Sequence, residues 1–492
     1  MNRKYHGLIF IISACLLLSL LYCPPWDIFF DDKEIFRYFG MVISRGGIPY
    51  RDFFDHKPPL IFLLNSAGLL FGSWGLWIID AVLVLLTTLL FFDLCKKYRL
   101  SYPWLLPLLF NLACRNHLIC QGIGMTREYT AIFLVISFCL IMGKYRYKQL
   151  LLGVFAALTF FMQQDQALTL VPFILYALFA KDGPPLLQRL AWLISGFMVI
   201  TLPLLGWLGL NHALGIFWKD AFIFNFSWYT TVKKSLPAHL ISIKTAMDRT
   251  NMEVFFLIAV TLGVSSLFMQ NKKKALTIVA LAAILFSFTP EYLTGYLPSP
   301  SFYYYFLPLA ATLGILLFVV FAFVEDPLVR SKTGLRVWTI LLCCSLGYNV
   351  VQHATHLPRY PGNVDKNPAL QYLYLHPPSG DYQLYVMGSG NFVYAYNRFR
   401  ILAPSRWIYH QFWFWYDRWD PDQTILKSIG SDLLQHHTTY ILDLSNASKF
   451  RNPENSACWQ SFLEQHYEPV ALPGLTTTIL WRIKASPQSS GL

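Results

Sequence analysis

Apolar runs about as long as a bilayer is thick recur along the chain, and short basic clusters separate them. A helix needs roughly 20 apolar residues to cross about 30 Å of hydrocarbon. Runs of this kind lie at 8–23, 74–94, 102–114, 128–143, 149–162, 166–181, 190–210, 252–270, 275–289, 303–324 and 336–350. They predict a polytopic α-helical membrane protein with about eleven transmembrane helices. Composition agrees: 55% of the 492 residues are hydrophobic and only 13% are charged. A soluble domain carries about 25% charged residues. That excludes an ordinary water-soluble globule, and the 17% aromatic content excludes a disordered chain.

The net charge of +12 is explained by where the cations sit. Lys96-Lys97-Tyr98-Arg99, Lys144 to Lys148, Lys181 with Arg189, Lys272-Lys273-Lys274, and Arg330, Lys332 and Arg336 fall in alternate connections. Alternation of this kind marks the cytoplasmic side. Asn2-Arg3-Lys4 before the first run puts the N-terminus there too, and the absence of a small-residue cleavage site before Pro24-Pro25-Trp26 favours an uncleaved first span. The connections 24–73, 115–127, 211–251 and 290–302 then face outward, in an inner (plasma) membrane, and no nucleic-acid partner is implied. Nine cysteines without a Cys-x-x-Cys pair give no metal or disulfide framework.

From 351 to 492 the composition changes. Strand-type alternation appears at Tyr382–Met387, Thr439–Leu444 and Thr477–Ile483, with helix-like stretches near 421–436 and 457–466. This predicts a C-terminal extracytoplasmic α/β domain following a transmembrane domain at 1–350.

The outer loop 24–73 is the segment richest in chemistry. It holds Asp31-Asp32-Lys33-Glu34, then Gly46-Gly47-Ile48-Pro49-Tyr50-Arg51-Asp52-Phe53-Phe54-Asp55-His56-Lys57-Pro58-Pro59-Leu60. Ionisable residues beside hydrocarbon are costly and mark candidate sites. Ile35, Phe36, Phe39, Val42 and Ile43 share one face at helical spacing. Two readings of Asp31 and Asp32 are open. Either caps an interfacial helix, or one is a general base that takes a proton from an acceptor hydroxyl attacking a lipid-phosphate sugar. In the second reading Lys57 with Arg37, Arg45 or Arg51 neutralises the phosphate leaving group, and Pro58-Pro59 stiffens the segment presenting Lys57. Snorkelling at the interface is the plain alternative for these cations. Gln163-Gln164-Asp165-Gln166 is either a solvated helix end or a set of sugar-hydroxyl partners. The aromatic residues of 222–229 suit an interfacial helix, and those from Trp407 to Trp419 suit a membrane-facing roof.

These residues resemble the bacterial branch of the C-type glycosyltransferases, similar to the protein O-mannosyltransferases (glycosyltransferase family 39) and the lipid A aminoarabinose transferases. The match is carried by the acidic pair after the first span and the Pro-Tyr-Arg-Asp to Lys-Pro-Pro string. Gly124–Glu128 resembles the family's second acidic outer connection, and Ser301–Pro308 its late Tyr-rich span; Tyr385-Val386-Met387-Gly388 with Tyr394 resembles its outer domain. The resemblance implies a C-type glycosyltransferase fold and a polyprenyl-phosphate sugar as donor. The implied acceptor is a hydroxyl of an outer-leaflet lipid, glycan or protein, and no cofactor or metal is implied. It makes Asp32 the catalytic aspartate, with Asp31 or Glu34 sharing the role, Lys57 the donor-phosphate ligand and Glu128 a second acidic group near the acceptor or the sugar. By their chemistry and place in the outer segments, Arg37 and Arg51 join Lys57 at the phosphate, and Asp55, His56, Gln164 and Tyr303 join Glu128 as candidate substrate-binding residues. Two positions depart from the family: Lys33 stands where a Glu is usual, and no His or Arg accompanies Tyr303. A transporter or flippase would carry paired broken helices and mid-membrane charges; a non-catalytic scaffold of envelope glycan assembly would not need the acidic pair.

Overall fold

The computed structural model of the chain describes residues 6–26, 31–116, 119, 122–180, 183–229, 235–250, 252–269, 273–294, 306–324, scattered positions from 333 to 351, 364–388, 390–408, 420, 422–444, 452–472 and 479–484. Tyr303, His353, His356 and the aromatic residues 409–419 lie outside the described residues, as does the side chain of Asp31.

The membrane-type part is helical. α1 (His6–Leu20) is followed by α2 (Asp31–Ser44), α3 (Leu60–Leu69), α4 (Gly75–Lys97), α5 (Leu105–Cys114), α6 (Thr126–Met142), α7 (Lys148–Met162), α8 (Val171–Leu178) and α9 (Leu186–Leu210). α10 (Leu214–Trp218), α11 (Leu236–Thr250), α12 (Glu253–Ser266), α13 (Lys274–Thr294) and α14 (Leu307–Phe323) complete it. Among the described residues, Gly72–Lys97 and Leu186–Leu210 are long and apolar enough to cross a bilayer by themselves. Shorter apolar helices of 10–17 residues include α1, α3, α5, α7, α12 and α14.

Three segments differ from the sequence expectation. The run at 166–181 is not one helix: a 3-10 stretch, Gln164–Leu170, precedes the short α8. Its polar residues Gln164, Asp165 and Gln166 interrupt the apolar face, and Pro172 occupies the first turn of α8, where its missing N–H costs least. Within the expected outer loop, α3 is an additional apolar helix that packs on α2. The aromatic stretch after Trp218 is wound into two π-helical turns, Lys219–Ile223 and Asn225–Tyr229, a rare geometry that recurs at functional sites.

α7 and α9 meet where neither has a side chain: a Cβ on Gly153 would lie 2.0 Å from the Leu193 carbonyl, and one on Gly196 1.9 Å from that of Leu150. Small residues permit such backbone approach between apolar helices. α2 buries Ile35, Phe36, Phe39 and Val42, the face its spacing predicts, against α3 and the loop between them. Phe39 stacks on Phe53 at 4.0 Å, and Phe62 of α3 meets both edge-on.

The tail forms a four-stranded sheet of order β1-β2-β4-β3, with β1 (Leu384–Met387), β2 (Tyr440–Asp443), β3 (Tyr467–Pro469) and β4 (Leu480–Ile483). β1 and β2 are parallel, so a crossover joins them, here through α16 (Tyr394–Phe399) and α17 (Thr424–Gln435); the β4 pairings are antiparallel. α15 (Pro368–Leu375) precedes the sheet, and α18 (Pro453–His466) leads into β3. The three expected strands and both expected helices are present. β3 has no alternating pattern and ends on a proline, which an edge strand tolerates.

The closest approach of α2 to α3 depends on Gly40, whose missing Cβ would lie 2.8 Å from backbone atoms of Asn65 and Ser66. Gly40→Ala is expected to lower unfolding free energy by about 1–3 kcal/mol through overpacking. Gly314→Ala in α14, where a Cβ meets nothing within 4 Å, is the control; thermal unfolding in detergent compares the two.

Candidate active site

The outer loop folds back on α2. After α2 ends, Ile48–Phe53 closes a tight turn: the Asp52 amide donates to the Ile48 carbonyl at 2.9 Å, and the Ile48 amide to Asp52 Oδ2 at 2.7 Å. Tyr50 sits at its tip with φ of 68°, a left-handed conformation that costs a bulky residue about 1 kcal/mol or more. It is held there because its ring is fully buried and its hydroxyl donates to the Lys57 carbonyl at 2.8 Å. A strained residue thus sets the path of the segment that carries Lys57.

Lys57 is buried to 7% exposure and is held from several sides. Its backbone amide donates to Asp55 Oδ1 at 2.8 Å, and its Nζ stands 3.6 Å from Asp32 Oδ2 and 4.8 Å from the centre of the Phe36 ring. The Asp32 contact is longer than a hydrogen bond, so it is a loose ion pair in a low-dielectric setting. Asp32 and Phe36 lie four residues apart on one face of α2, which is why both reach the same ammonium.

Asp55 and His56 complete the cluster. Burial pushes the Asp55 carboxyl up to about 6, against the pull of the Lys57 charge and amide. Asp55 Oδ2 is buried with no hydrogen-bond partner among the described residues. Burial, then the nearby Lys57 charge, holds His56 well below the usual imidazole range. The 3.6 Å approach of His56 Nδ1 to Asp55 Oδ1 is therefore a contact of a neutral ring and not an ion pair. The His56 carbonyl accepts from Asn225 Nδ2 at 2.7 Å, which ties the loop to the second π-helical turn.

Of the residues singled out from the sequence, Asp32, Asp55, His56 and Lys57 are gathered at one place. Arg37 meets Glu34 at 3.4 Å. Arg51 forks onto Asp52 at 2.8 and 2.9 Å and is largely exposed. Burial opposes ionisation of Asp52, but the Arg51 fork and the Ile48 amide outweigh it and hold the carboxyl below its usual range. Arg45 reaches the tail, at 2.8 Å from Asp381. Gln164 Nε2 donates to the Ala221 carbonyl at 2.9 Å and so braces the first π-helical turn. Glu34, adjacent to the departure at Lys33, is fully buried and accepts from Asn397 of the tail at 2.8 Å.

Glu128 belongs to an ion cluster with no solvent exposure. Arg115, after α5, contacts Glu128 Oε1 at 2.7 Å and pairs with Asp80 of α4; its own carbonyl accepts from the Tyr22 hydroxyl at 3.0 Å. The cluster joins α4, α5 and α6 at the start of the second acidic connection. Sequence reasoning passed over Asp80 and Arg115 because each stands alone in an apolar stretch. Tyr50 is visible only as part of the loop string, and Asn225 and Arg406 carry no signal of their own, because all three meet main-chain groups that leave no residue-type signature. Among the described residues no group of three or more His, Cys, Asp or Glu is placed to hold a metal.

The fold is similar to that of ArnT from Cupriavidus metallidurans bound to undecaprenyl phosphate, with a TM-score of 0.55 at 12% identity over 80% of this chain and 85% of that one. The apo state of the same protein gives 0.56 at 11% identity over 91% and 94%. The archaeal oligosaccharyltransferase AglB from Archaeoglobus fulgidus, in complex with an inhibitory peptide and a dolichol-phosphate, gives only 0.42 at 15% identity over 100% and 75%. No family model and no curated protein matches the chain. The C-type glycosyltransferase fold implied by the sequence motifs is thus the fold observed.

Two stability predictions follow from the buried charges. Arg115→Met leaves two buried carboxylates uncompensated and is expected to cost about 3–5 kcal/mol; Arg115→Met combined with Asp80→Asn and Glu128→Gln is expected to recover part of the loss in thermal unfolding. Asp55 titrates at about 6 in the folded chain against an ordinary value of 3.8, so folding favours its protonated form. Its stabilising contribution is full below pH 3.8, falls as pH rises through about 6, and amounts to about 3 kcal/mol at most. Asp220, also pushed up to about 6 by burial, acts in the same direction. Asp55→Asn is therefore expected to flatten but not abolish the fall in unfolding temperature between pH 4 and 6.5.

Proposed function

We propose that this chain is an inverting membrane glycosyltransferase that moves a sugar from a polyprenyl phosphate to a hydroxyl on an outer-leaflet lipid, glycan or protein. The observation that carries the reading is the buried Asp32–Lys57 pair, in which a carboxylate and an ammonium from one outer loop face each other at 3.6 Å. The C-type fold shared with ArnT supports it, and that protein was solved bound to undecaprenyl phosphate, the carrier class the reading requires.

In the proposed reaction the acceptor hydroxyl attacks the anomeric carbon from the face opposite the phosphate. A carbon–oxygen bond forms, the bond from that carbon to the phosphate oxygen breaks, and the configuration inverts. Asp32 takes the hydroxyl proton. Lys57 meets the negative charge that grows on the departing polyprenyl phosphate, in a site where few waters screen it. A phosphate entering between them replaces Asp32 as the partner of Lys57 and releases the carboxylate to act as a base. Asp55 and neutral His56 adjoin this space and are the proposed contacts to sugar hydroxyls. Arg37 and Arg51, paired with Glu34 and Asp52, are proposed as further contacts to the phosphate, with Lys57 the principal one.

The arrangement in the bilayer belongs to the same proposal: about eleven spans, a cytoplasmic N-terminus, and the active loop and the tail on the outer face of the inner membrane. The alternating basic connections support it.

Asp32→Asn is expected to lower the turnover of sugar transfer by 10²- to 10⁴-fold, and Lys57→Met by 10²- to 10³-fold, each per folded molecule. Membranes from a deletion strain carrying each variant, assayed by mass spectrometry of envelope lipids and glycans, provide the measurement. Full transfer by Asp32→Asn would remove this aspartate from the reaction.

A further inference from the structure

Three distant parts of the chain meet behind the Lys57 segment. The Phe54 amide donates to the Arg406 carbonyl of the tail at 3.0 Å. The Arg406 guanidinium pairs with Asp220 in the first π-helical turn and lies over the Trp407 ring at 4.4 Å. Phe54 is wedged between Trp407 at 5.3 Å and Phe224 at 5.4 Å. Trp407 is itself anchored to β1, its carbonyl accepting from the Tyr385 hydroxyl at 2.6 Å. The Asn225 side chain, one residue beyond Phe224, spans from the Ala221 carbonyl to the His56 carbonyl at 2.7 Å each.

We propose that Arg406 is a positioning residue: by gripping Phe54 through its carbonyl and Asp220 through its guanidinium, it sets the place of Lys57 relative to Asp32. The inference rests on the reading of Lys57 as the phosphate ligand only for its catalytic consequence. The geometric argument is independent. Residues 54–57 span three peptide links, so Phe54 is one of the fixed points that place the Lys57 segment, beside the Tyr50 and Asn225 contacts, and a misplacement of about 1 Å near reacting groups costs of the order of 10²-fold in rate. Asp220 is buried and Arg406 mostly so, which makes the pair a specific anchor and not a screened surface contact. Its outer side borders a cavity of about 540 Å³ lined by Ile216, Lys219, Trp407 and Thr424 among others. A shortened side chain there leaves open space that no neighbour fills.

The test reads Lys57 directly. Full-length protein in detergent is labelled with an amine-acylating reagent, and the rate at Lys57 is followed by mass spectrometry in wild type, Arg406→Met, Arg406→Lys and Asp220→Asn. Arg406→Met and Asp220→Asn are expected to speed Lys57 labelling at least fivefold. Arg406→Lys should fall between, because it keeps the charge and loses the fork and the ring contact. Arg482→Met, which breaks an exposed pair with Glu468 elsewhere in the tail, should match wild type. Asp220→Asn keeps the Arg406 side chain but removes its counter-charge, and serves where Arg406→Met does not fold. Wild-type labelling rates in folded Arg406→Met or Asp220→Asn overturn the proposal. In a sugar-transfer assay, the loss from Arg406→Met should disappear in a Lys57→Met background, since residues acting through one another are not additive; additive losses also overturn it. Faster labelling with undiminished transfer would leave the anchor standing and count against the catalytic reading of Lys57.

Discussion

Burying an ammonium is a costly local demand, and the outer loop has to meet it at Lys57. A lone lysine charge in a low-dielectric interior loses its proton or draws in a counter-charge, and Lys57 is surrounded accordingly. Asp32 supplies the opposite charge, Phe36 a ring face, and Asp55 takes the backbone amide of the same residue. Each of these groups must be delivered to one point. Much of the outer architecture can be understood as the means of delivery: α2 brings Asp32 and Phe36, and the strained Tyr50 turn brings Asp55 and Lys57.

Delivery alone would leave a long loop free to move, and the tail restrains it. Asn397 grips both the carbonyl and the carboxylate of Glu34, the Ala403 amide donates to the Tyr38 hydroxyl, and Arg45 reaches Asp381 and the Arg400 carbonyl. Together with the Phe54 to Arg406 hydrogen bond, these contacts run along the whole of α2 and the loop after it. Neutral hydrogen bonds contribute about 0.5–1.5 kcal/mol each and those to charged groups about 1.5–3, and the exposed Arg45–Asp381 pair adds little, so the set as a whole favours one loop conformation. The tail's sheet lies behind these contacts: Tyr385 of β1 fixes Trp407, and the Val386 amide donates to the Tyr396 hydroxyl. The same physics recurs away from the loop, where Arg115 between Asp80 and Glu128 joins α4, α5 and α6.

The loop motif was legible for good reason. Asp32 and Lys57 are ionisable residues beside apolar runs, and the cost of that placement is a property of residue type that sequence reveals. The apolar face of α2 was legible because helical periodicity is local. Other features were not. Glu34 reads in sequence as a carboxylate that could share the role of Asp32, and it is the handle by which the tail's Asn397 holds α2. Arg51 reads as a phosphate ligand, and the sequence does not announce that it forks onto its own neighbour Asp52. Arg406 stands in an unremarkable stretch, and one of its two gripping contacts is made by a carbonyl that every residue possesses. β3 exists because β4 offers it a partner, and no pattern in Tyr467-Glu468-Pro469 announces it.

Sequence by itself determined the apolar helices, the strands β1, β2 and β4 with their neighbouring helices, and the residue types available at the outer loop. These depend on periodicity, length and composition within a few turns of chain. Tertiary structure decided which charges meet: Asp32 with Lys57, Arg115 with Asp80 and Glu128, Arg406 with Asp220. The reason is that pairing follows burial. A charge finds its partner where packing removes water from both, and that place is set by segments that lie from 13 to 186 residues apart in the chain.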